Sequence, residues 1–292
     1  MQQLVNTALG GLTLGAVYAA FALALVLIFR STRIVNFAQA PMAMVTTFIA
    51  LTLIDAGYSY WIGFAAALLS GLVLGAVIER VIIRPVEDKP EINAVILTLG
   101  LFITLHALAA VIFGNRFRSF PAPFGLRGLE VGGTTIRLTT SGIFTIAAVA
   151  TVMVLLLLLF RYTDVGLRMR ASAYNPEVAR LLGVRVGRML TLGWALAAVV
   201  GSLSGLLIAS GGLVHPGYMD SIVVYGFVAA VLGGLESPVG AVVGGLTLGL
   251  SLSFVSGYLG SELVALAALL ILMLVLTLKP GGLFAVASAR RV

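Results

Sequence analysis

The chain has no cysteine, two histidines and little charge: Asp, Glu, Lys and Arg together make up 10% of it. Each scarcity excludes something. Without cysteine there are no disulfides and no thiolate-held metal centres, and two histidines leave little from which to build a metal site. No GxxxxGK[ST] run occurs, so the chain has no phosphate-binding loop and cannot power anything with ATP by itself. The opening residues MQQLVNTALG lack the Lys and Arg that precede the apolar core of a secretory signal, which predicts that the first apolar segment is retained. No long polar stretch interrupts the sequence, which predicts a single domain over 1–292.

What remains is hydrophobic. Sixty per cent of residues are apolar and the mean hydropathy is +1.13, which predicts an all-α integral membrane protein in a lipid bilayer. The net charge of +7 does not point to nucleic acid, because the basic residues sit between apolar runs. Those runs predict eight transmembrane helices, at 8–29, 37–54, 60–83, 92–113, 142–160, 189–211, 239–257 and 261–278. Each is long enough to cross roughly 30 Å of hydrocarbon. Ile222–Leu232 is too short to cross comfortably, and reads as a half-span or re-entrant helix. With the amino terminus outside, fourteen basic residues fall inside, including Arg30, Arg33, Arg84 and Lys279, against four outside. The carboxy terminus is also expected inside, on the basic residues Lys279, Arg290 and Arg291. The outer loop 114–140 contains LEVGGTTIRLT, whose alternation around Gly-Gly predicts a hairpin.

Five glycine pairs have GxxxG spacing: Gly11/Gly15, Gly71/Gly75, Gly201/Gly205, Gly240/Gly244 and Gly245/Gly249. Such pairs let helix backbones approach, and predict packing within the bundle. GSLSG at 201–205 is not the GxSxG of a serine hydrolase, so packing explains it better than catalysis. His106 reads as a packed histidine and His215 as a solvated loop residue. Glu236, the only acid expected near membrane depth, sits beside Ser237 and Pro238 and reads as part of an exposed turn.

The most charged stretch is Arg161–Arg188, with six Arg, between runs of membrane-grade hydrophobicity. A segment this polar and basic belongs on the cytoplasmic side. Within it Asn175 suits a helix N-cap, Pro176 the first helical position, Glu177 the positive end of the helix dipole, and Gly183 a left-handed stop. Val178, Leu181 and Leu182 recur at helical spacing, with Arg180 between them, so one face of this short helix wants a partner. The residues alone fit docking onto another protein and resting on the chain's own surface equally well.

The run RASAYNPEVARLLGV resembles the coupling segment of bacterial ABC importer permeases, and within them the LivH type of branched-chain amino acid importers. LTLGAVYAAFALALVLIF, VNFAQAPM and GGLESPVGAVVGGL extend the resemblance over essentially the whole chain. It implies a non-catalytic, multi-pass subunit of a bacterial cell membrane, with no cofactor of its own. Its implied partners are cytoplasmic ATP-binding subunits docking at Asn175–Gly183, a second related permease chain, and a periplasmic or extracellular solute-binding protein. The implied cargo is branched-chain amino acids, with amides and urea as relatives' cargo. The Pro-containing break at Asn36, Gln39 and Pro41 is a candidate for the translocation pathway, since irregular backbone at membrane depth is tolerated where it lines a cavity. A short loop with Asn36 as a helix cap fits the same residues. This chain departs from the family's NFAHGE there, with Gln39, Ala40 and Pro41 in place of His, Gly and Glu. An ion-coupled secondary transporter is the alternative, and it asks for acids at the midplane of broken helices.

Overall fold

The computed structural model describes residues 2–87, 89–125, 127–131 and 134–284. The chain opens with α1 (Gln2–Thr32), α2 (Gln39–Asp55) and α3 (Tyr60–Ile78). A π-helical turn at Glu79–Ile83 and a 3-10 turn at Arg84–Val86 prolong α3 before α4 (Glu91–Phe113). Strands β1 (Arg118–Ser119), β2 (Gly128–Val131) and β3 (Thr134–Thr139) lead into α5 (Thr140–Tyr162). Two short helices follow, α6 (Asp164–Tyr174) and α7 (Pro176–Leu181), then α8 (Val186–Ala209) and β4 (Leu213–Val214). The chain continues with α9 (Asp220–Gly233), α10 (Pro238–Tyr258), a 3-10 turn at Ser261–Leu263 and α11 (Val264–Leu278).

Among the described residues seven helices are long and apolar enough to cross a membrane: α1, α3 with its extension, α4, α5, α8, α10, and α11 with its preceding turn. The expected count of eight is not reproduced. The segment expected at 37–54 forms a helix of 17 residues, α2, because Asn36 holds the chain in a turn before it: the Ala38 N–H donates to Asn36 Oδ1 at 3.0 Å.

The Ile222–Leu232 expectation needs a larger correction. Its helix, α9, has 14 residues, rising about 21 Å. It does not turn back to the side it came from. Upstream, β4 pairs antiparallel with β1 at the end of the bundle that carries the β2–β3 hairpin. Downstream, the turn after α9 places Glu236 in an ion pair with Arg33, at the opposite end. The irregular stretch 210–219 supplies the length that the helix lacks. The residues after α11 return to that same end, where the Leu283 N–H donates to Leu232 O at 2.9 Å.

Helices α1, α2 and α8 form the centre. From Gly15 to Ile28 every residue of α1 is buried, and α2 is buried on most sides from Gln39 to Leu51. A helix that is apolar all round belongs in such a position. In lipid there is no hydrophobic force to pull helices together, so close backbone approach and interhelical hydrogen bonds hold the bundle. The glycine pairs supply the approach. Gly11 and Gly15 of α1 lie against Leu246 and Leu250 of α10, and Gly245 of α10 against Ala19. Gly71 and Gly75 of α3 meet Ala198, Ser202 and Trp194 of α8, and Gly244 of α10 meets Ala229 of α9. A methyl group at any of these positions would strike backbone or a packed side chain. By contrast α4 and α11 bury one face only and leave Ile103, Val111, Leu270 and Leu274 exposed, as lipid-facing helices do.

The predicted hairpin forms: Val131 pairs with Thr134, Glu130 with Thr135 and Leu129 with Ile136. Its Gly132–Gly133 tip lies outside the described residues. At this end Asp55 and Arg118 form an ion pair, and the Phe120 N–H donates to Gly212 O at 2.9 Å, tying the loop after α4 to the loop after α8. At the other end α1 stops at Arg33, which takes a left-handed φ of 59° and turns its side chain to Glu236.

Candidate functional site

The basic island folds into two helices where the sequence suggested one. The Thr163 hydroxyl caps α6 by accepting from the Gly166 N–H at 3.1 Å. Met169 and Ser172 of α6 are buried, and Met169 reaches the Gly193 region of α8. This longer helix was missed because its apolar positions are sparse among Arg168, Arg170 and Gly166. Asn175 ends it and begins α7, accepting from the Val178 N–H at 3.1 Å through Oδ1. Pro176 takes the first helical position, and Glu177 lies exposed in the first turn.

The stop is a Schellman motif. The Gly183 N–H donates to Arg180 O at 3.0 Å and the Val184 N–H to Ala179 O at 2.9 Å, with Gly183 at φ 81°. The accompanying apolar contact is present too: Ala179 packs with Val184, Val186 and Leu190. That single methyl is how α7 rests on its own chain. Its other apolar side chains point away. Leu181 is 87% exposed and Leu182 76%, Val178 is exposed, and the neighbouring Tyr174 is 85% exposed. The structure thus divides the helix between the two readings, with Ala179 facing in and the larger residues facing out.

Just beyond the island lies a buried charge that the sequence reading passed over. Glu79, with 2% of its side chain exposed, sits in the π-helical turn that prolongs α3. Its carboxylate accepts from Arg84 Nε at 3.1 Å and from a terminal nitrogen of the same guanidinium at 2.8 and 2.9 Å. It also accepts from the Thr191 hydroxyl at 2.7 Å. Arg84 in turn donates to Gly187 O at 2.6 Å. These bonds fasten the end of α3 to the first turn of α8, where the chain leaves the island. Among the described residues Glu79, rather than Glu236, is therefore the acid held inside the protein. Glu236 is half exposed in the expected turn, and the Ser237 hydroxyl caps α10.

The candidate pathway residues part company. Asn36 and Gln39 are both buried and bonded to each other, Asn36 Nδ2 to Gln39 Oε1 at 3.1 Å. Gln39 then turns toward α8 and donates to Ala197 O at 3.1 Å, where Gly201 leaves room for its amide. Pro41 is buried in the first turn of α2 and places no polar group in a cavity. The α2–α8 seam continues with residues that were not anticipated. The Thr46 hydroxyl donates to the Ser202 hydroxyl at 2.9 Å, and the Tyr218 hydroxyl to the Thr47 hydroxyl at 2.8 Å. The Ser204 hydroxyl donates to Val17 O at 3.2 Å. The signal for these was present in the small residues of GSLSG, but only packing shows which helix they meet.

The two histidines also have neighbours that spacing hides. His106 Nε2 lies 3.2 Å from Asp220 Oδ1, at ion-pair distance without the alignment of a hydrogen bond. His215 is half-buried against the Phe117 ring, and its Nδ1 accepts from the Gly217 N–H at 3.1 Å. No cluster of three or more His, Asp or Glu able to hold a metal occurs among the described residues.

A bundle of apolar helices that carries a folded polar platform at one end defines a multi-pass helical membrane protein. Its fold is similar to that in PsaBC from Streptococcus pneumoniae in complex with Fab, with a TM-score of 0.53 at 17% identity over 96% of this chain and 93% of that one. The family described as branched-chain amino acid transport system / permease component matches residues 7–278, and the chain belongs to that family. It is 30% identical over 300 residues to the high-affinity branched-chain amino acid transport system permease protein LivH of Salmonella typhimurium, covering 97% of this chain and 94% of that protein. It is 28% identical over 297 residues to the corresponding permease protein BraD of Pseudomonas aeruginosa, covering 97% and 95%. The chain is thus a non-catalytic transport subunit of the ABC-type permeases.

Proposed function

We propose that this permease carries branched-chain or other hydrophobic amino acids inward across a bacterial inner membrane as part of an ABC importer. Separate cytoplasmic ATPase subunits drive it, a solute-binding protein feeds it from outside, and a second related permease chain completes the pathway. The observation that carries this reading is the bare apolar face of α7. Val178 and Leu181 on the helix and Leu182 at its end are exposed, beside the exposed Tyr174 that ends α6, while the inward contact is the single methyl of Ala179. Two turns of helix are not stable alone, so a partner that covers this face also fixes its shape. Arg180, Arg185 and Arg188 around it suit a partner surface of acidic character.

At the opposite end Tyr58, Trp61, Phe117 and Leu213 are exposed beside the hairpin, and supply the aromatic anchors of a landing surface for the binding protein. Motion of the ATPases reaches the bundle through α7, the Schellman turn and the first turn of α8. There the Glu79–Arg84–Thr191 bonds pass it to α3.

The test is uptake of labelled leucine into vesicles that carry the assembled importer. Uptake is expected to require ATP inside and to persist when ion gradients are collapsed. Uptake that follows an ion gradient and ignores ATP overturns the reading in favour of a secondary transporter.

A further inference from the structure

One face of α9, at the margin of the core, carries an unusual combination. Asp220, Val223, Val224 and Phe227 recur at helical spacing and share one stripe. Below Asp220 this stripe borders a cleft of about 210 Å³. Phe21 and Leu25 of α1, Phe37 of the α1–α2 connection and Leu272 of α11 close it, and Asn36 is its one polar neighbour. Phe37 and Phe227 stack at 6.5 Å between centroids. Helix α4 flanks the same region at two levels. Thr98 lies 3.4 Å from Val35 O at the level of the Asn36 turn, and His106, two turns further on, meets Asp220.

Depth makes the carboxylate informative. His106 stands seven residues before the end of α4, roughly 10 Å inside it at 1.5 Å per residue. A carboxylate at such a level does not face lipid. It faces protein or a water-filled passage. Yet the Asp220 side chain is 58% exposed, and its nearest cation-capable neighbour, His106, is not aligned to bond it. His215, held over Gly217 in the preceding turn, lies against the same glycine as the Asp220 carboxylate.

We infer that this slot is a substrate subsite of the permease, in which the apolar cleft receives an aliphatic side chain and Asp220 receives the adjoining ammonium group. The inference rests on the importer reading above and adds to it a place and a division of labour. Size is compatible: an apolar cavity of roughly 150 Å³ accepts benzene, so this cleft accommodates a branched four-carbon side chain. The one-turn offset, about 5 Å, matches the distance between the two ends of a small aliphatic amino acid. A lipid chain fills the cleft equally well but has no use for the carboxylate, and an anionic headgroup is repelled by it. Asp220 acts by binding, not by chemistry. The Phe37–Phe227 stack closes the slot toward the basic end, so an occupant waits there until α9 or the α1–α2 connection moves.

The chain's lack of cysteine makes the test direct. Val224→Cys puts one thiol at the cleft mouth of the full importer in membrane vesicles. Labelling by a small maleimide should slow when leucine is present and not when aspartate is. With Asp220→Asn added, the leucine concentration giving half-protection should rise at least tenfold, and Asp220→Glu should restore most of it. Equal labelling with and without leucine, in vesicles that import leucine, overturns the subsite and leaves the importer reading standing. So does an unchanged half-protecting concentration in Asp220→Asn. If the native assembly imports no amino acid, the importer reading falls and the subsite with it. Should Asp220→Asn fail to accumulate, protection of Val224→Cys alone still decides.

Discussion

Replacing Glu79 with Ala removes the acceptor at the centre of the bonds that join α3 to α8. The carboxylate takes three contacts from Arg84 and one from Thr191, with almost none of its own surface in water. Removing one member of a buried pair costs about 3–5 kcal/mol, because the partner's charge stays behind without compensation. Here the partner is less confined: the Arg84 side chain is 33% exposed and keeps Gly187 O as an acceptor. Solvent therefore offsets part of the loss, and about 2–3 kcal/mol is expected. For a chain of this size that is a fall in melting temperature of roughly 3–5 °C. Glu79→Gln, which keeps the acceptor oxygen and loses the charge, should fall in between. Glu236→Gln is the control, since Glu236 and Arg33 form an exposed pair of the kind worth about 0–1 kcal/mol. Thermal unfolding of the purified permease in one detergent reads all three. Glu79→Ala melting within a degree of the native chain would refute the reasoning, and so would Glu236→Gln costing as much.

Three further outcomes follow from the packing. Gly201→Leu should disrupt the α2–α8 seam and sharply lower membrane abundance, because the side chain would occupy the place of the Gln39 amide; Gly100→Leu, on the open side of α4, should leave abundance unchanged. Asn175→Ala removes the α7 cap at a cost of about 1 kcal/mol, and hydrogen exchange should show faster opening of the Val178 amide while the bundle stays protected. Single cysteines at Leu213 and Leu235 should label from opposite faces of the membrane, because α9 passes from the hairpin end to the basic end; labelling from one face would restore a re-entrant element.

Most of the membrane helices were legible because their composition is extreme and lipid imposes one solution on a spanning backbone. The glycine pairs were legible for a related reason: a side chain of one hydrogen at helical spacing has few uses other than close approach. The α7 cap and stop were equally plain, since Asn, Pro and Gly each act through their own backbone. What stayed hidden was pairing between distant segments. Glu79 looks like the first charge after a span, and nothing local says that Arg84 and Thr191 will enclose it. Asp220 and His106 are 114 positions apart, and nothing local to either says that they will meet. The path of α9 was misread because length alone was asked to decide, whereas the irregular residues before it complete the crossing.

The exposed face of α7 offers the sharpest test of how the permease is driven. Leu181→Asp puts a carboxylate on a residue that touches almost nothing within its own chain, so the bundle should insert and melt as the native chain does. In the assembled importer that carboxylate would be buried without a partner, at a cost of several kcal/mol, enough to remove a modest interface. The measurement is ATPase recovered with the tagged permease, taken alongside leucine uptake in the same membranes. The expected result is normal permease abundance with both ATPase and uptake lost. Full recovery of ATPase and full uptake with Leu181→Asp would contradict the coupling role of α7.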